Sequence, residues 1–358
     1  MVGARQEALS FSLKVRMGRT DMTVRLKDIA ARAGVSLMTA SKAMREASDV
    51  SAQTRTRIRL LAQQMGYVPN SMAQGLRNRT TRLLGLVLST VSDPIFTSAV
   101  SAIEEGAHEW GCDLMLAHTL NSPEREEACI RRLLARRVDG LFIFPTYRLA
   151  PTAAIYDVLL QRQTPTVILG QRAPFCAQFH NVESDDRSGS HQMTRHLLEL
   201  GHKKIAFLCG PPGSPWAQER LEGYRRALRE EQIEPDDGLI FTAGATLEEG
   251  GKAALQMLNE SVSMTALQAA NDLVAMGAAN VFLQQGIHIP GDLSIGGFGN
   301  ILMSEHFRVP LTTVRQPKMR LGTAAMEIMQ KLLRGERPES RRLAAALIIR
   351  ASTASPKT

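Results

Sequence analysis

Apolar and polar positions change rhythm along the chain, and the first regular rhythm starts at Val24. Leu26, Ile29, Ala30 and Ala33 recur at the spacing of one helix face, and Gly34 follows where a left-handed residue can end a helix. Val35 can fill the corner, Ser36 is placed to cap a second helix running through Met44, and Ala40, Ala43 and Met44 supply its inner face. Ser51 is the expected cap of a third helix, with Ile58, Leu61, Ala62 and Met65 as its apolar face and Gly66 as its end. Three short helices with one small core are predicted, the first two forming a helix-turn-helix. Residues 1–22 show no periodicity and contain Met17 and Met22, so a disordered arm or a misplaced start codon is expected there.

From Leu83 the rhythm becomes that of alternating buried strands and amphipathic helices. LLGLVL, CDLMLA, GLFIFP and PTVIL read as strands, separated by helices around Phe96–Trp110 and Glu124–Arg136 and by a third after GLFIFP. The cycle resumes with a helix near Ser188–Leu200, then KIAFLCG, a helix through Gln218 to Glu230, LIFTAG, a helix to Leu258, TALQAAN, a helix over Leu273–Gln285, and LSIGGFG. This is the pattern of a parallel α/β body, and the number of units suits two doubly wound lobes. No internal repeat relates the two.

Charge separates the same two regions. Residues 1–82 carry 15 Lys and Arg against 5 Asp and Glu, and the remaining residues carry 28 against 30. A basic module joined to a nearly neutral body suggests a polyanion-binding head, although a solvated charged face has the same composition. The four cysteines, Cys112, Cys129, Cys176 and Cys209, form no CxxC pair and read as reduced thiols, so neither a metal site nor a bound cofactor is expected. No run of about eighteen apolar residues exists, and the first thirty residues lack a signal core, so a cytoplasmic protein without a membrane segment is expected.

LKDIAARAGVSLMTASKAM, followed by VSAQTRTRI and MGYVPN, resembles the DNA-binding head of the LacI/GalR repressor family. The ordered set Asp28-Ile29-Ala30, Ala33-Gly34-Val35-Ser36, Thr39, Ser41, Gly66-Tyr67 and Pro69-Asn70 carries that resemblance. It implies that the second helix enters the DNA major groove. Leu37 and Met38, at its start, then face base edges and can offer only apolar contact to thymine methyls, and Lys42 can donate to guanine. Packing in the head is the alternative for Leu37 and Met38, but the opposite helix face already supplies that contact. Ser36, Thr39, Ser41, Ser51, Thr54 and Tyr67 suit phosphate oxygens, and Leu26 and Arg45 complete the expected DNA face. NSMAQGLRN matches the family's hinge helix: Asn70 starts it, Ala73 lies on it, and Leu76 is the wedge for the minor groove. Gly75 weakens that helix by about 0.8–1 kcal/mol relative to Ala, so it is expected to fold only on DNA; a plain linker is the alternative.

The resemblance continues over roughly Arg82–Thr353 through VDGLFIFP, TRHLLELGHKKIAFLCG, ERLEGYRRAL, AANDLVAMGA, IPGDLSIGGFGN and PLTTVRQP. It implies an all-α helix-turn-helix head on an α/β two-lobed, periplasmic-binding-protein-like body that holds a small effector between its lobes. The expected boundaries are 1–22 leader, 23–69 head, 70–81 hinge, 82–353 body and 354–358 tail. Within the body, lobe one is expected over about 82–182 and 314–341, and lobe two over about 183–313 and 342–353. Carried over by position, the effector residues are Asp93, Phe96, Arg172, Arg220, Asn271, Asp272 and Asn300. A surface ion pair with Glu219 or Glu222 is the alternative for Arg220, and capping of the helix at Leu273 is the alternative for Asp272. Gly170 and Gly299 stand where relatives often carry an acidic residue. With Arg172 and Arg220 retained, a sugar acid of the gluconate type is expected over a neutral hexose. The resemblance further implies a homodimer on a palindromic DNA operator, and no heptad segment after LIIRAST supports a tetramer.

Other function classes find little support. GGFGN is not a GxGxxG fingerprint, Gly251-Lys252-Ala253 is not a phosphate loop, His191 and His196 are five apart rather than four, and no GxSxG elbow occurs. An enzyme is therefore not expected. A transport-type sugar-binding protein would have a secretory signal and no basic head. Within regulation, an inducer-released repressor, a corepressor-dependent repressor and an activator share this sequence pattern.

Overall fold

The computed structural model describes residues 24–45, 47–68 and 80–357. They belong to two compact units that divide between Arg79 and Thr80. In the first, α1 (Leu26–Ala33), α2 (Leu37–Met44) and α3 (Ala52–Gln64) pack around Ile29, Ala43 and Ile58, all fully buried. Gly34 adopts φ +64°, a conformation that suits glycine, and lets Val35 donate back to Ala30 O at 3.0 Å, closing the turn between α1 and α2. Ser36 Oγ accepts from Thr39 N at 3.0 Å and Ser51 Oγ from Thr54 N at 3.3 Å, the two caps the sequence predicts.

The second unit is built on two six-stranded sheets. The first takes β1 (Leu83–Leu88), β2 (Asp113–His118), β3 (Gly140–Ile143), β4 (Thr166–Leu169), β5 (His180–Ser184) and β11 (Arg341–Leu343), ordered β11-β5-β4-β3-β1-β2. The second takes β6 (Ile205–Cys209), β7 (Ile240–Thr242), β8 (Ala266–Ala269), β9 (Ser294–Gly299), β10 (Thr312–Arg315) and β12 (Ala346–Ile348), ordered β12-β10-β9-β8-β6-β7. All pairings are parallel except β10 with β12. The chain crosses between the sheets three times: after β5, after β10 and between β11 and β12.

Helices cover both faces of each sheet, which explains why the strands read as continuous apolar runs. They are α4 (Pro94–Glu109), α5 (Pro123–Ala135), α6 (Ala154–Gln161), α7 (Asp186–Glu199), α8 (Pro215–Glu230), α9 (Leu247–Asn259), α10 (Asp272–Gln284), α11 (Leu302–Glu305) and α12 (Lys318–Leu333). Three of them start two to three residues before the apolar periodicity does. Pro94 and Pro215 occupy the first turns of α4 and α8, and Asp185 caps α7 through Ser188 N at 3.2 Å.

Strands β5, β10, β11 and β12 lie outside the predicted apolar runs. β5 reads HNVES, with only Val182 as a large apolar residue. Asn181 finds tertiary partners: its Nδ2 donates to Gly170 O at 3.0 Å, and its backbone N donates to Ser340 Oγ at 3.0 Å.

Candidate functional site

The start of α2 presents an unusual surface. Leu37 is 53% exposed and Met38 61%, while Ala40 and Ala43 on the opposite face are fully buried, so these two large apolar side chains contribute nothing to the head's core. Lys42, one turn on, forms an ion pair with Asp49, whose carboxyl it holds below its ordinary value. Ser36 and Thr39 share a hydroxyl contact at 2.8 Å, Ser51 and Thr54 one at 2.9 Å, and Arg45 Nε donates to Ser41 O at 3.1 Å. Leu26 and Tyr67 are half-buried against the core rather than free on the surface.

Part of the head's positive charge is structural. Arg57 donates to Ala33 O at 2.8 Å, satisfying the C-terminus of α1, and Arg55 donates to Ala47 O and Val50 O, each at 3.1 Å. The expected hinge residues Asn70, Ala73 and Leu76, like the leader, lie outside the described residues.

In the body, the C-terminal ends of the central strands of both sheets converge on a cleft of about 400 Å³. Five of the seven expected effector residues line it: Asp93, Phe96, Arg220, Asn271 and Asp272. Arg172 and Asn300 do not. Arg172 is exposed, and its guanidinium donates to Ala177 O at 3.0 Å and Phe179 O at 3.3 Å, fastening the short turn Pro174–Cys176. Asn300 adopts φ +49° and accepts from Arg350 Nη2 at 2.8 Å, which holds its amide away from the cleft wall.

Arg220 has a buried partner that its neighbours in sequence do not reveal. Its Nε and Nη2 donate to one oxygen of Asp186 at 2.9 and 2.6 Å, and the other Asp186 oxygen accepts from Gln316 Nε2 at 3.0 Å. The guanidinium lies between the rings of Trp216 and Phe298, at 4.5 and 3.8 Å from their centroids. This geometry depends on close helix packing: a Cβ at Gly223 of α8 would lie 2.3 Å from Arg187 O of α7. Glu219, the alternative partner for Arg220, instead pairs with Arg342 at 2.9 Å, and Arg342 also reaches Glu183 at 3.0 Å and Asp185 at 2.9 Å.

The capping alternative for Asp272 belongs to its neighbour. Asn271 Oδ1 accepts from Val274 N at 2.7 Å and caps α10, while Asp272 turns inward to accept from Thr313 Oγ1 and from Ile301 N at 2.9 Å. Burial pushes the Asp272 and Asp93 carboxyls above their ordinary values, against the pull of Lys318. Lys318 is a cleft residue that the sequence reading missed. Its Nζ donates to Gly299 O at 2.9 Å and Asn300 O at 3.0 Å, tying α12 of the first lobe to the second, and burial lowers its pKa.

Two cations and three carboxylates therefore line the cleft, and the expected positive bias is absent. The two glycines also lose their meaning as charge signals. Gly170 has φ +103° and Gly299 φ +128°, backbone conformations that L side chains rarely adopt. Ser184 and Gln316 also line the cleft, and Ser184 Oγ is buried without a hydrogen-bond partner among the described residues. Trp216 was the most legible of the missed residues, because it stands four positions before Arg220 on the same helix. Asp186 and Lys318 carry no comparable local signal.

Among the described residues no His, Cys, Asp and Glu cluster could hold a metal, and no helix is long and apolar enough to cross a membrane.

A helix-turn-helix head with exposed apolar side chains at the start of its second helix, joined to a two-lobed body with an interlobe cleft, defines a transcription regulator with a ligand-binding body. Residues 25–70 match the description "Bacterial regulatory proteins, lacI family", and residues 194–353 match "Periplasmic binding protein-like domain". The transcriptional regulator GalR of Escherichia coli K12 is 34% identical over 304 residues, covering 85% of this chain and 87% of GalR. The repressor CytR of the same strain is 31% identical over 330 residues, covering 92% and 96%. The crystal structure of the lac repressor dimer bound to operator and the anti-inducer ONPF superposes with a TM-score of 0.82 at 29% identity, covering 93% of this chain and 99% of that one. A complex of the regulator CelR with cellobiose gives 0.70 at 28%, covering 92% and 99%. The chain belongs to the LacI family of bacterial regulatory proteins, and its relatives are regulators rather than enzymes.

Proposed function

We propose that this regulator is a cytoplasmic homodimer that binds a palindromic operator and represses a carbohydrate operon until a small polyhydroxylated molecule occupies the interlobe cleft. The two heads read two half-sites through Leu37, Met38 and Lys42, with neighbouring hydroxyls on phosphates. The ligand acts by favouring one arrangement of the lobes over another, and the two equilibria are then coupled in both directions.

The observation that carries the ligand class is the pairing of charge inside the cleft. Arg220 is neutralised by Asp186 and stacked between aromatic rings, and Phe96, Phe144 and Tyr147 add further apolar faces. Such a site offers ring faces for sugar C–H groups and fixed acceptors for hydroxyls, which suits a neutral sugar. A sugar acid is the second reading, favoured by one feature: Lys318 Nζ donates to two carbonyls and has a third N–H for a carboxylate.

Binding of the purified protein to duplex DNA from upstream of its own gene, at two salt concentrations and with panels of neutral sugars and aldonates, tests both readings. Release by a neutral sugar is the expected result. Release by aldonates alone selects the sugar acid. Tightening by any compound replaces induction with corepression. Each phosphate contact displaces counterions from the duplex, so affinity should fall steeply between the lower and the higher salt concentration.

A further inference from the structure

We propose that Asp139 anchors the linker between head and body, and that this fastening is required for operator binding at full strength. The inference rests on the operator-binding reading above. Residues 80–82 are where the chain joins the body, and they converge on one carboxylate. Thr81 N donates to Asp139 Oδ1 at 2.9 Å and Oδ2 at 3.1 Å, Thr81 Oγ1 to Oδ1 at 3.0 Å, and Arg82 N to Oδ2 at 2.8 Å. Thr80 Oγ1 donates to the same carboxylate at 2.5 Å, and the single Thr81 hydroxyl proton is shared between Asp139 Oδ1 and Arg137 O, the latter at 2.7 Å.

These bonds hold a strained turn at the entry to β1, an internal strand paired with both β2 and β3. Arg82 has φ +52°, a left-handed conformation costly for an L residue, immediately before β1. Its own carbonyl accepts from Asp113 N at 2.8 Å, and Asp139 N donates to Leu83 O at 2.7 Å. The chain's path out of the body is thereby fixed by side-chain and backbone bonds together.

The position of the anchor also relates it to the cleft. Asp139 lies just before β3 and beside the start of β1, adjacent strands of the first sheet. The opposite ends of the same strands lead to Ser89 and to Phe144–Tyr147, which line the cleft. β1 spans six residues, so roughly 20 Å of paired strand separates the two ends. Any displacement of these strands at the cleft reaches the linker through Asp139.

A purely slack tether gives a different outcome. Releasing residues 80–82 would lengthen a linker of about 11 residues to about 14, and effective concentration falling as the −3/2 power of length would then drop by less than twofold. The test compares Asp139→Asn with wild type, by fluorescence anisotropy on labelled intergenic DNA from upstream of the gene and on a scrambled duplex of equal length. We expect affinity for the intergenic duplex to fall tenfold or more, with scrambled-duplex affinity, helical content and dimerisation unchanged. Thr81→Val, which removes one hydroxyl and leaves the carboxylate, should lose less in the same direction, and it carries the test if Asp139→Asn fails to fold. Intergenic affinity within twofold of wild type in each variant that folds overturns the anchor. Wild-type protein that binds both duplexes equally overturns the operator-binding reading, and the anchor with it.

Discussion

The reading face of the head and the cleft of the body handle unsatisfied groups in opposite ways. The head leaves large apolar side chains in water at Leu37 and Met38 and holds Lys42 in an exposed pair with Asp49. The cleft buries its charges and neutralises them internally, with Arg220 6% exposed and Asp186 fully buried. The first arrangement costs little to keep, and on the proposed reading a duplex completes it with methyl groups and phosphates. The second incurs desolvation during folding, so a small ligand meets a preorganised site with little reorganisation left to make. Mutations should therefore separate: cleft charges report on stability, and the side chains of Leu37, Met38 and Lys42 in the head report on recognition.

The largest expected effect breaks the cleft pair. Asp186→Asn removes the carboxylate charge hydrogen-bonded to the buried Arg220 guanidinium and should destabilise the body by about 3–5 kcal/mol in chemical denaturation. A body that unfolds at the wild-type denaturant concentration would erase the contrast between the two regions.

Lys42→Ala comes next and tests recognition alone. Operator discrimination should relax by about 1–3 kcal/mol at a single base pair in a scan of operator variants. Equal losses at every position would make Lys42 a phosphate contact instead.

Within the head, Ser36→Ala should cost about 1 kcal/mol of stability, because Thr39 N loses its cap. Met38→Ala removes an exposed side chain, so it should stay within about 0.5 kcal/mol of wild type in the same melt while altering base preference.

The smallest effect is a pH dependence confined to the body. Burial lowers the pKa of His202, whose ring bonds Thr265 Oγ1 at 2.9 Å and Ala354 O at 2.8 Å. The unfolded state then binds the proton more readily. The stabilisation is full above about pH 6.5 and falls away as pH drops from there toward the lower folded value. His202→Gln should flatten that part of the body's stability profile, and an unchanged slope would assign it to His196 or His180, whose pKa values burial also lowers.

Much of the fold was legible because it follows from local chemistry. Caps at Ser36 and Ser51, the left-handed glycine at 34 and the apolar runs of β1, β3, β4, β6, β8 and β9 all express a preference of the residues themselves. β5 was not legible, because its polar residues become strand only when Gly170 O and Ser340 Oγ stand beside them. The cleft was legible in part. Phe96, Arg220 and Asn271 stand in recognisable motifs, but Arg172 shares a motif with the cleft wall and turns away from it.

By itself the sequence determined the two modules, the helix-turn-helix and the alternating α/β body, because spacing and caps act within a few residues. Tertiary structure alone decided what each charge does. Asp186 and Arg220 are thirty-four positions apart, Asp139 and Thr81 fifty-eight, and Lys318 and Gly299 nineteen. Whether a charge is free, paired or serving as an anchor depends on which distant groups the packed helices and strands bring within hydrogen-bond reach.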